Sequence, residues 1–103
     1  MTVAVLGSIN MDMVTRVAAV PRPGQTVAGE SFAMTPGGKG ANQAVAAARA
    51  GASVNFMGKV GGDLFASELI SSLRTAGVNS DCVRVESKTS SGVAAITLTK
   101  DSQ

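Results

Sequence analysis

Apolar residues in this chain fall into short runs and stripes punctuated by glycine. Val3-Ala4-Val5-Leu6 is a continuous apolar run closed by Gly7. A run that short suits a strand buried on both faces of a parallel sheet. It places Ser8-Ile9-Asn10-Met11-Asp12 at the strand's carboxyl end. Val14 to Val20 alternates weakly and predicts a second strand, stopped by the turn signal Pro21-Arg22-Pro23-Gly24. Gln25 to Phe32 mixes polar and β-branched residues and predicts a partner strand. This pair, at about 13–35, interrupts what would be a β-to-α crossover, a place suited to a lid.

Lys39 to Ala50 predicts a helix rich in strong formers, with Gly51 as its stop. Ser53 to Met57 predicts the next strand, ending at Gly58. Gly61-Gly62-Asp63 then turns the chain, with Asp63 placed to cap a helix from about Leu64 to Ala76. Phe65, Leu69, Leu73 and Ala76 make one apolar stripe along that helix. Cys82 to Val85 and Val93 to Thr99 predict further strands joined by polar residues. Lys100-Asp101-Ser102-Gln103 reads as a turn, so the end resembles a truncated hairpin. The order is α/β with an inserted β flap, in one domain over 1–103.

Charged residues make up only 16% of the chain, against about 25% in ordinary soluble domains. Apolar surface should therefore stay uncovered, which implies a partner surface: another subunit or further chain. The net charge of +2 is scattered and aromatics are 3%, so no nucleic-acid partner is expected. No apolar run reaches the length of a membrane span, and the first residues lack a signal-peptide pattern. The single cysteine, Cys82, fits a reducing compartment and predicts a cytoplasmic protein; it reads as a small core residue. With no histidine, neither a zinc site nor a His-dependent triad is expected.

The segment Gly37-Gly38-Lys39-Gly40-Ala41-Asn42-Gln43-Ala44 carries the candidate chemistry. Glycines let backbone approach a ligand, and a helix starting here puts Lys39 and Asn42 on one face. It is not a P-loop: position 33 is Ala33, and Gly40 follows the lysine. It is not a dinucleotide fingerprint either, because Gln43 stands where the third glycine belongs. Alone, it is equally a tight turn entering a close-packed helix. Asn10 and Asp12, read at the carboxyl edge of a sheet, add donors and acceptors. A polyol needs that mixture, since each hydroxyl both donates and accepts. The residues lean toward a sugar-like ligand.

With these motifs the chain resembles the ribokinase family of carbohydrate kinases (ribokinase-like, PfkB). The resemblance rests on Gly7-Ser8-Ile9-Asn10-Met11-Asp12, Pro23-Gly24-Gln25-Thr26, the glycine-lysine segment through Ala48, Gly58 to Asp63, and Ser91-Gly92-Val93-Ala94. It implies part of a doubly wound α/β fold with a β-sheet lid often used in dimer contacts. It implies phosphoryl transfer from ATP to a sugar hydroxyl, with Mg²⁺. Asn10, Asp12, Gly38, Lys39 and Asn42 would bind the sugar, with Gly40 and Ala41 as backbone contacts. The family's catalytic aspartate, in a Gly-Ala-Gly-Asp motif, and its nucleotide pocket lie downstream of anything in this chain. No catalytic residue, bound ATP or metal is therefore expected here, and the chain alone should be inactive. The alternatives are a stand-alone sugar-binding module and a dimerisation piece.

Overall fold

The computed structural model describes residues 1–100. Strand β1 (Thr2–Leu6) is followed by β2 (Asn10–Arg16), β3 (Ser31–Gly37), helix α1 (Lys39–Arg49), β4 (Ser53–Gly61), helix α2 (Ala66–Thr75), β5 (Val78–Glu86) and β6 (Gly92–Leu98). They form two three-stranded sheets, in the orders β1-β4-β5 and β3-β2-β6.

The first sheet is wholly parallel. Its strands step in one direction, and right-handed crossovers then put α1 and α2 on the same face. Val54, Phe56 and Val78 are buried on that face beneath Ala44, Leu69 and Leu73. Thr2, Ala4, Leu6, Ser53 and Asn55 alternate with the buried positions and are exposed on the other. This half-covered sheet is the N-terminal part of a doubly wound architecture. The helices match their expected positions closely. Arg49 ends α1 where Gly51 takes φ +101°, and Leu69 and Leu73 carry the stripe of α2.

The second sheet corrects the expected flap. Its strand pair is Asn10–Arg16 with Ser31–Gly37, not Val14–Val20 with Gln25–Phe32. The run Asn10-Met11-Asp12-Met13 alternates strictly because one face meets the core and the other does not. Asn10 and Asp12 therefore lie in β2 rather than on a loop ending β1. Pro36 sits inside β3, tolerated because β3 is an edge strand. The residues between the strands hold a turn: Gln25 N–H donates to Arg22 O at 2.9 Å, and Gly24 takes φ +77°. A third strand joins the pair, β6, parallel to β2.

Cys82 is exposed rather than buried. It pairs with Met57 at the irregular step in the β4–β5 ladder, on the helix-free face. The turn expected over 100–103 lies, beyond Lys100, outside the described residues.

Candidate functional site

All three passages between the sheets occur at one register row. Asn10 opens β2, opposite Gly37 at the end of β3 and Gly92 at the start of β6. Both neighbours are glycine for a steric reason. A Cβ on Gly37 would collide with the Asp12 carboxylate, and one on Gly92 with Asn10 Oδ1. The flanking strands thus leave room for two polar side chains standing two residues apart on one face of β2. Ile9 and Met11, of opposite parity, are buried in the core. Met11 thus points away from the face that carries Asn10 and Asp12.

The glycine-lysine segment meets this row from the other side. Gly38 takes φ +102°, a left-handed conformation that glycine adopts freely. α1 then starts against the chain leaving β1. A Cβ on Gly40 would stand 2.7 Å from the Gly7 Cα and 2.9 Å from the Ser8 nitrogen. The Ala41 amide donates to Ser8 O at 3.0 Å, and the Asn42 amide to Gly38 O at 2.8 Å. Helical geometry leaves the amides of Lys39 and Gly40 without an intrahelical acceptor, at the positive end of the helix. Lys39 and Asn42 are exposed and three residues apart, on neighbouring positions of the helix surface. Lys39 and Asp12 make no ion pair among the described residues.

The predicted residues thus gather around the junction of the two sheets. Gly40 and Ala41 are buried and act through backbone, while Asn10, Asp12, Lys39 and Asn42 offer side chains. The arrangement supplies a carboxylate, two amides, an ammonium and a helix start, which suits a neutral polyhydroxylated ligand. Nothing local in the sequence marks Gly92 as part of it; the register with Asn10 does.

Asp63 holds the third passage. Its carboxylate accepts the Ser91 amide at 2.6 Å, the Ser91 hydroxyl at 2.9 Å and the Phe65 amide at 3.1 Å. Ser91 Oγ in turn accepts the Gly61 amide at 2.9 Å. The Ser91 amide first, and then the Ser91 hydroxyl and the Phe65 and Ala66 amides, hold the Asp63 carboxyl below the ordinary carboxylate range, against partial desolvation that pushes it up. Regular helix α2 starts at Ala66, with Phe65 at its N-cap position, and Asp63 caps the turn leading into it through the Phe65 and Ala66 amides.

Among the described residues, no three His, Cys, Asp or Glu side chains converge. A groove of about 320 Å³ runs between β3, α1 and α2, and of the predicted residues only Ala41 and Asn42 line it. No helix among the described residues is long and apolar enough to cross a membrane.

Residues 1–103 match the family model described as pfkB family carbohydrate kinase. The chain is 47% identical over 96 residues to the ribokinase of Bacillus subtilis, covering 93% of this chain and 33% of that protein. It is 44% identical over 96 residues to the deoxyribokinase of Salmonella typhi, covering 93% of this chain and 31% of that protein. The structure of Arabidopsis thaliana ribokinase complexed with ribose and ATP superposes with a TM-score of 0.88 at 31% identity, over 99% of this chain and 33% of that one. The chain spans about a third of the length of the relatives it matches.

Proposed function

The chain belongs to the pfkB family of carbohydrate kinases, and on that footing we propose that it supplies the sugar-binding part and lid of an ATP-dependent kinase for ribose or a similar sugar. The observation that carries this reading is the row Gly37–Asn10–Gly92, where two glycines clear space around the Asn10 and Asp12 side chains beside the start of α1. Asp12 accepts hydrogen bonds from sugar hydroxyls, Asn10 and Asn42 both donate and accept, and Lys39 donates. Gly38, Gly40 and Ala41 let the backbone of the helix start approach the sugar. ATP, with Mg²⁺, supplies the phosphoryl group in the complete enzyme. The base and the nucleotide pocket lie outside this chain, so these residues bind and orient but do not activate the hydroxyl.

The sheet β3-β2-β6 is the lid. Phe32 and Met34, exposed on β3, support a homodimer contact through it. The exposed thiol of Cys82 suits a cytoplasmic setting. Relatives named for ribose and for deoxyribose lie at similar identity, so the choice at the sugar's second carbon belongs to the experiment.

The test is steady-state kinetics of the complete kinase with ribose and 2-deoxyribose. Asp12→Ala is expected to raise the KM for sugar by about 10- to 100-fold, the loss of a charged hydrogen bond worth roughly 1.5–3 kcal/mol, with the KM for ATP little changed. An unchanged KM for every sugar tried would remove Asp12 from the site.

A further inference from the structure

The contacts of Asp63 reach further than the turn they close. Ser91, which the carboxylate holds by amide and hydroxyl, is only 4% exposed. Around it the Gly62 amide donates to Glu86 O and Thr89 O, each at 3.1 Å. Gly61 has no space for a Cβ, because the Ser90 and Ser91 backbone fills it. The loop from β5 to β6 is thus pinned to the turn between β4 and α2. The next residue, Gly92, is the one where an added Cβ would collide with Asn10 Oδ1, and it pairs with Asn10 in the ladder.

A continuous line therefore runs from the first sheet to the site: Asp63, Ser91, Gly92, Asn10. We propose that Asp63 is a positioning residue for the sugar site, setting the height of β6 through Ser91 and so fixing where the Asn10 side chain presents itself. This rests on the reading of Asn10 as a sugar contact. Local capping would not need the Ser91 bonds, since the Phe65 and Ala66 amides suffice for the turn at Asp63. The two bonds to Ser91 are the shorter ones, and they join segments 28 residues apart.

The line makes a specific demand. Asp63→Asn keeps shape but replaces an acceptor oxygen by a donor NH₂ facing the Ser91 amide or hydroxyl, so the latch loosens. In the complete kinase we expect the KM for sugar to rise about tenfold, with the KM for ATP within about twofold. In an Asn10→Ala background the same substitution should add little to the sugar KM, because the group it positions is gone. The side-chain amide resonance of Asn10 in the sugar-free protein should shift in Asp63→Asn, while those of Asn55 and Asn79 in the first sheet stay in place. Ser91→Ala, which removes the hydroxyl bonds and keeps the amide bond, should show the same pattern in weaker form and decides the matter where Asp63→Asn does not fold. Full additivity with Asn10→Ala, an equal rise in both KM values, or an unmoved Asn10 resonance would overturn the proposal. A wild-type kinase that phosphorylates no sugar would instead overturn the function proposed above, and the Asn10 resonance would still judge the positioning role.

Discussion

The Asp63 carboxylate spends both its oxygens on neighbours, with Oδ2 on the Ser91 amide and Oδ1 on the Ser91 hydroxyl and the Phe65 amide. Those bonds favour the charged form, led by the Ser91 amide, and lower its pKa. A lowered folded pKa means that the latch stabilises the fold above the unfolded Asp value of about 3.9, and that this contribution fades as pH falls through the folded pKa. Asp63→Asn should therefore unfold at lower temperature than wild type at neutral pH. The gap should narrow as the buffer is taken below about pH 4, a trend that calorimetry across pH would read; a constant gap would mean that the carboxylate's charge contributes nothing. In the sequence, Asp63 is legible only as a cap, because the residues before an apolar stripe are all that a local pattern contains. Its main partner lies 28 positions away. Asn10 and Asp12 are legible as polar residues beside a buried strand, but their face is defined by Gly37 and Gly92, which only pairing brings alongside.

The elements whose causes are local are the ones the sequence predicts best. α1 has its glycine stop and α2 its apolar stripe, and each lies within a few residues of its expected span. The flap strands are displaced because polar Asn10 and Asp12 lie within β2 and Pro36 lies within edge strand β3. The place of β6 beside β2 depends on residues some eighty apart, and no window along the chain contains it. The junction of β1 with α1 makes the cost of close packing measurable. Alanine at Gly40 gains about 1 kcal/mol of helix propensity. Its Cβ would stand 2.7–2.9 Å from the backbone of Gly7 and Ser8, which cannot swing aside like a side chain. Overpacking of that kind costs about 1–3 kcal/mol or more and should win. Gly40→Ala should thus lower the denaturation midpoint and, by shifting α1 away from Ser8, weaken sugar binding as well. Gly51→Ala is the control. It has open space around it and φ +101°, so it should cost about 1–2 kcal/mol from backbone strain and leave sugar affinity alone.

At the scale of the whole molecule, one face of the first sheet has no layer against it among the described residues. The Cα radius of gyration is 16.0 Å, where a compact domain of this length would have about 13 Å. The shortest extent is 18 Å, room for one sheet and one layer of helices. The low charge of the sequence anticipates apolar surface left uncovered. Kinase activity needs both substrates held and the transferring charge neutralised. The 103-residue chain, incubated with ribose, ATP and Mg²⁺, should therefore form no sugar phosphate; turnover would show that the chain carries catalytic groups of its own. Leu6 tests the uncovered face directly. It is 79% exposed, at the end of edge strand β1 and in register with Met57. An isolated chain should hide such a face by self-association, which sedimentation velocity would detect. Leu6→Lys should reduce that association while moving the stability of the chain by no more than about 0.5 kcal/mol, as for other surface changes. Where further chain covers the face, as expected of a full-length kinase, the same substitution should be severe, because the lysine must be buried without a partner. Equal damage in both contexts would mean that Leu6 is packed within these residues. Damage only in the longer chain would identify the bare face as the seat of further chain.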